Sequence, residues 1–80
     1  MTLARYFVFA RGEEWIVAVD GMPIGRHHSR PEAISSAIVM ADLMGSMRHD
    51  ADVMVEADGK LALAWTYGVD PLPPKSQAAA

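Results

Sequence analysis

The stretch Asp52-Val53-Met54-Val55-Glu56-Ala57-Asp58-Gly59-Lys60-Leu61-Ala62-Leu63-Ala64-Trp65-Thr66-Tyr67 decides how this chain is read. Asp58-Gly59 is its strongest local signal. A two-residue hairpin turn of type I′ needs positive φ at both central positions, and Asp-Gly tolerates that well. Two strands therefore flank it, Asp52 to Glu56 and Leu61 to Tyr67, with Ala57 opposite Lys60. A fixed turn fixes the register. Glu56 then faces Leu61, Val55 faces Ala62, Met54 faces Leu63, Val53 faces Ala64 and Asp52 faces Trp65. Opposed residues share a face, so both faces of this hairpin are apolar. One carries Val53, Val55, Ala62 and Ala64. The other carries Met54, Leu61, Leu63 and Trp65, edged by Asp52 and Glu56. A half-exposed antiparallel sheet normally alternates apolar with polar residues, and this one does not. A single helix can cover one face only. The small face suits close helix packing and the acidic rim of the large face suits a boundary with water, but the residues alone leave the choice open.

Working outward, Arg5-Tyr6-Phe7-Val8-Phe9-Ala10 and Trp15-Ile16-Val17-Ala18-Val19 are rich in β-branched and aromatic residues and read as two strands. A three-residue loop at Arg11-Gly12-Glu13 pairs Ala10 with Glu14 and Phe9 with Trp15. That places Phe7, Phe9, Trp15, Val17 and Val19 on one face; a two-residue loop that set Phe9 against Glu14 is the poorer alternative. Asp20-Gly21 is a second turn signal. Met22 to His28 follows as a short edge strand, because Pro23 lacks a donor and Gly25 weakens pairing. Ser29-Arg30-Pro31-Glu32 reads as a capping box opening a helix from about Pro31 to Met47. Along it Ile34, Ala37, Ile38, Ala41 and Met44 form one apolar stripe, and the small residues Ala37 and Ala41 allow a close approach to a sheet. Arg48 and His49 complement the negative helix end.

The order is hairpin, helix, hairpin, or ββ(β)αββ. It predicts an α+β fold in which an antiparallel sheet of four to five strands carries one helix on one face. Strand order is left open. Residues 1–70 form the single domain, and 71–80 are expected to be an extended, disordered tail.

Trp15-Ile16-Val17, Gly21, Glu32-Ala33-Ile34, Asp58-Gly59-Lys60-Leu61 and Thr66-Tyr67-Gly68-Val69-Asp70-Pro71 sit in a familiar arrangement. From about Trp15 to Pro71 the chain resembles the small bacterial domain-of-unknown-function 2188 family. Members of that family look like a tryptophan–valine strand, a helix opened by an acidic–alanine step, an Asp-Gly-Lys/Arg hairpin and a closing tyrosine–glycine. This chain departs in having few basic residues in the helix and an unusually apolar last strand. The family has no established activity, so the resemblance implies no catalytic or binding residue.

Eighty residues allow one core. Apolar residues make up 51% and charged residues 21%, and the net charge is −3. No cysteine is present, so disulfides and thiolate–zinc sites are excluded. That fits a soluble protein of a reducing, cytoplasmic compartment. The opening residues Met1 to Arg5 lack the pattern of a secretory signal, and no apolar run is longer than that from Ala37 to Ala41, which falls far short of the roughly 20 residues needed to span a bilayer. Arg26, His27, His28 and Arg30, with Arg48 nearby, are the one basic cluster. It offers phosphate contacts, but the acidic balance argues against nucleic acid. On a strand His27 and His28 point to opposite faces and cannot easily share a metal ion. Glu13-Glu14 and Asp50/Asp52 are acidic pairs without a shielded pocket. No nucleotide motif or serine–histidine pair appears, so neither cofactor nor catalysis is expected. Pro71-Leu72-Pro73-Pro74 reads as a chain terminator. Six methionines invite adaptable packing, with Met44 in the core and Met40 and Met47 suited to an interface. The reading that follows is a non-catalytic, self-associating interaction module, a homodimer meeting through Met54, Leu61, Leu63 and Trp65. The alternative is a nucleic-acid-associated regulatory protein using the segment Arg26 to Arg30.

Overall fold

A computed structural model describes residues 3–47 and 49–72. The order of elements is β1 (Leu3–Arg11), β2 (Glu14–Val19), β3 (Met22–His27), α1 (Arg30–Ser46), β4 (Asp50–Ala57) and β5 (Lys60–Thr66). They form one α+β unit, a five-stranded sheet of order β3-β2-β1-β4-β5 under a single helix. The sheet is mixed where an antiparallel one was expected. Three neighbouring pairs are antiparallel, but central β1 and β4 run parallel, with Tyr6 beside Val53 and Val8 beside Val55. Parallel neighbours need a long crossover, which β2, β3 and α1 supply. No described helix is long and apolar enough to cross a membrane.

The turns obey their chemistry. Asp20 and Gly21 take φ of 53° and 78°, and Asp58 and Gly59 take the same values. Both are two-residue turns with positive φ throughout, closing Val19 against Met22 and Ala57 against Lys60. The β1–β2 connection differs from expectation. It is a two-residue turn at Gly12-Glu13, with Gly12 at φ 63°, pairing Arg11 with Glu14, Ala10 with Trp15 and Phe9 with Ile16. The shorter turn moves the pairing by one residue, and a strand's faces alternate with every residue. Phe7 and Phe9 consequently lie on the face opposite to Trp15, Val17 and Val19.

A second displacement affects β5. Ala57 faces Lys60, Glu56 faces Leu61, Val55 faces Ala62 and Met54 faces Leu63, as the turn requires. Beyond that the register shifts, so that Val53 faces Trp65 and Asp52 faces Thr66, with Ala64 the extra residue of a bulge. The bulge turns Trp65 onto the helix side, where it is 4% exposed. Trp65 therefore does not share a face with Leu61 and Leu63.

The helix covers the small face. Ala4, Tyr6 and Val8 of β1, Val17 of β2 and Ala51, Val53 and Val55 of β4 pack with Trp65 against Ala33, Ala37, Ile38 and Ala41. Trp15, Val19, Ile34, Met40 and Met44 border this core. Val8, Val17 and Val53 are fully buried, each contributing roughly 1.5–3 kcal/mol by leaving water. Ser29 caps the helix, its Oγ accepting from the Glu32 N–H at 3.3 Å. The Glu32 carboxylate accepts from the Ser29 hydroxyl at 2.9 Å, a side-chain version of the expected box. At the other end the N–H groups of Met47 and His49 both donate to the Met44 carbonyl. Arg48, expected to assist there, lies outside the described residues.

The chain after β5 folds back. Tyr67 N–H donates to Ala51 O at 2.9 Å, and Gly68 at φ 83° turns the chain. Asp70 then accepts from the Thr66 N–H at 2.9 Å. The Trp65 indole N–H donates to Pro71 O at 3.0 Å, which ties the chain back to β5 as far as Pro71. The rest of the expected tail, residues 73–80, lies outside the described residues. The Tyr67 ring stands edge-on to Trp65 at 6.4 Å and presses on Gly45, leaving no room for a Cβ there.

Two expectations follow. Gly59→Val should lower stability by about 1 kcal/mol or more, since a β-branched residue resists positive φ; an unchanged melting midpoint would refute this turn geometry. Alanine for a helical glycine normally gains about 1 kcal/mol, yet Gly45→Ala should destabilise the protein by roughly 1–3 kcal/mol, because the ring must move. In a Tyr67→Ala background the same change should become stabilising. Denaturant unfolding of the four proteins reads the sign directly.

Candidate functional site: the open face of the sheet

With the helix on one side, the other face of the sheet has no second layer among the described residues. Strand alternation from the observed registers places Leu3, Arg5, Phe7, Phe9 and Arg11 of β1 on it. Beside them stand Ile16 and Ala18 of β2, Pro23 and Arg26 of β3, Asp52, Met54 and Glu56 of β4, and Leu61 and Leu63 of β5. The β2 side packs itself down, leaving Ile16 and Ala18 buried, and Phe7, Phe9 and Met54 are half-buried. The β5 side is open, with Leu61 49% and Leu63 58% exposed. A half-open concavity of about 500 Å³ lies on this face, lined by Phe7, Phe9, Pro23 and Leu61 together with Arg11 and Glu56.

The charges on this face are largely satisfied within it. Arg5 grips its parallel-strand neighbour Asp52 through two hydrogen bonds, Nε to Oδ1 at 2.9 Å and Nη2 to Oδ2 at 2.8 Å. This fork-on-fork geometry is the strong form of an ion pair. The hydrogen bond to Asp52, and then its charge, raise the Arg5 pKa further above its usual range. Glu56 accepts from the Ala10 N–H at 2.9 Å, just past the last parallel pairing of β1 with β4 at Val8–Val55. Arg26 lies 3.8 Å from Glu14, a looser, exposed contact. The Arg11 guanidinium stands 5.7 Å over the Phe9 ring. On the covered face, burial and then the charge of Asp20 raise the pKa of the Tyr6 phenol.

Of the four residues read from the sequence as a contact surface, the structure brings Met54, Leu61 and Leu63 together on the open face. It removes Trp65 to the other. Sequence reasoning missed Phe7 and Phe9, which join the open face because of the shorter β1–β2 turn. The alternation Arg5-Phe7-Phe9-Arg11 was visible, but its side depended on that turn. The basic segment is divided: Arg26 is directed to the open face, His27 to the other, and His28 and Arg30 lie beyond the end of β3 and at the start of α1. No group of three His, Asp or Glu residues among the described residues is placed to hold a metal ion. Comparison with protein-family models, with curated proteins and with solved structures gave no match.

The Arg5–Asp52 pair makes an asymmetric prediction. The Asp52 side chain is 8% exposed and that of Arg5 44%. Removing Arg5 strands a buried carboxylate, whereas removing Asp52 leaves a guanidinium that water can reach. Arg5→Ala should lower the melting midpoint more than Asp52→Ala does. The reverse order would show that the pair does not hold this part of the sheet.

Proposed function

We propose that this chain is a non-catalytic interaction module that associates with a second copy of itself through the exposed apolar strand β5. The observation that carries the reading is the exposure of Leu61 and Leu63 beside Met54, Phe7 and Phe9 on a face with no covering layer. A contiguous apolar patch on a small domain usually marks an interface, and a short chain without disulfides gains by burying more surface. The occupant is argued from charge. Where identical surfaces meet, like charges tend to meet as well. Here Arg5 and Asp52 neutralise each other, Arg26 lies near Glu14, and the Glu56 carboxylate is engaged by a backbone donor. Such a face meets its own copy with little repulsion, and offers phosphates no dominant positive field.

A catalytic reading finds less support. The ionisable groups lining the concavity are a carboxylate taken up by the backbone and an arginine stacked on a ring. Acid–base chemistry draws on two groups whose environments separate their pKa values. A cysteine-free chain is suited to a reducing, cytoplasmic compartment, where we place this module.

Size exclusion with light scattering tests the proposal. The expected mass is twice 8.7 kDa, falling to a single chain in the double variant Leu61→Asp, Leu63→Asp with its circular dichroism intact. A wild-type chain that runs as a monomer at high micromolar concentration would refute self-association.

A further inference from the structure

The two outer strands of the sheet are built in opposite ways. An unpaired edge displays free N–H and C=O groups and invites another strand, and proteins commonly blunt such edges with proline, bulges and charge. β3 carries all of these: Pro23 has no N–H, the register shifts around Ile24, and Arg26 adds a charge. β5 carries few. Its run Lys60-Leu61-Ala62-Leu63-Ala64 contains no proline and one charge, placed at the turn. All five of these residues are exposed. The helix lies chiefly over β4 and β1, with lesser contact to β2 and β3, so toward the turn the helix side of β5 holds only exposed Lys60 and Ala62.

We infer that two copies join edge to edge through β5, antiparallel about a two-fold axis at Ala62, to make one continuous ten-stranded sheet. The inference rests on the self-association proposed above and specifies its geometry. The register follows from the turn. A two-residue hairpin makes Ala57 and Lys60 a hydrogen-bonded pair, so alternation turns the N–H and C=O of Leu61 and Leu63 away from β4. A two-fold perpendicular to the sheet keeps each face on its own side. Centred on Ala62, it sets Leu61 opposite the partner's Leu63 and Leu63 opposite the partner's Leu61. Both pairs exchange outward hydrogen bonds, and four leucines gather on the open face. Lys60 falls opposite the partner's Ala64, clear of the other lysine. Centring on Leu63 would set Leu61 against the partner's Trp65, which the bulge has turned to the other face. The blunted β3 edge keeps the assembly from growing, so pairing closes as a dimer and does not extend into a filament.

The chain contains no cysteine, so a single introduced one reports its own neighbours. At the two-fold, Ala62 meets itself as a non-hydrogen-bonded pair with Cα atoms about 4.5 Å apart, within reach of a disulfide. Three variants are oxidised at high micromolar concentration and run on non-reducing gels: Ala62→Cys, Met54→Cys at the centre of the open face, and Val39→Cys on the exposed side of the helix. Edge pairing predicts that most Ala62→Cys chains become covalent dimers, while Met54→Cys and Val39→Cys stay at background. Linking through Met54→Cys without Ala62→Cys would mean that the copies stack face to face, overturning edge pairing and leaving self-association standing. A wild-type dimer with neither linkage also overturns edge pairing. No linkage together with a monomeric wild-type mass overturns both.

Discussion

The parallel ladder between β1 and β4 is the constraint from which the rest of the structure follows. Parallel neighbours cannot be joined by a tight turn, so the chain leaves β1 through β2 and β3, crosses by α1 and returns at β4. That route fixes where each hairpin extends, β2–β3 on one side of the ladder and β5 on the other. The helix must cross over the ladder, and small residues let it come close. Ala33, Ala37, Ala41 and Gly45 are its buried seam, with Ile38 beside them. Opposite them lie Tyr6, Val8, Val53 and Val55, the residues of the ladder itself. Because one helix of 17 residues serves five strands, it covers the middle of one face and meets the last strand only at Trp65, leaving Lys60 to Ala64 exposed.

Much of this was legible locally. Asp20-Gly21 and Asp58-Gly59 announce their turns because left-handed φ is costly for most other residues. Ser29 announces the helix because its hydroxyl can satisfy an orphan N–H, and the stripe from Ile34 to Met44 identifies the buried side to within a residue. Ala33 and Gly45 were absent from that stripe because alanine and glycine carry little hydrophobic signal. Their burial reflects closeness of approach.

What was not legible is parity. A strand shows opposite sides at successive residues, so a single inserted or deleted residue exchanges faces. This happened twice. The Gly12-Glu13 turn moved Phe7 and Phe9 to the open face, and the bulge at Ala64 moved Trp65 to the closed one. Neither event has a compositional signature strong enough to read. The bulge has a physical rationale in the finished structure: an indole placed inward completes the core beside Val53, and its N–H finds Pro71 O. The pairing of β1 with β4 joins residues 47 apart in sequence, as Arg5–Asp52 illustrates, and no local pattern encodes it.

The open face inherits its character from these events. It keeps Leu61 and Leu63 exposed, gains half-buried phenylalanines and holds its charges largely in internal contacts. It also adjoins the one sheet edge that is neither proline-blocked nor dominated by charge. A surface with these properties is expected to meet another copy of itself in water, and the backbone amides at β5 should register that meeting. Hydrogen exchange at Leu61 and Leu63, followed residue by residue across protein concentration, is the most direct test. Both amides should slow as concentration rises, while the Ile24 amide on the blunted β3 edge keeps its rate. Exchange at Leu61 and Leu63 that is independent of concentration would contradict edge pairing at β5.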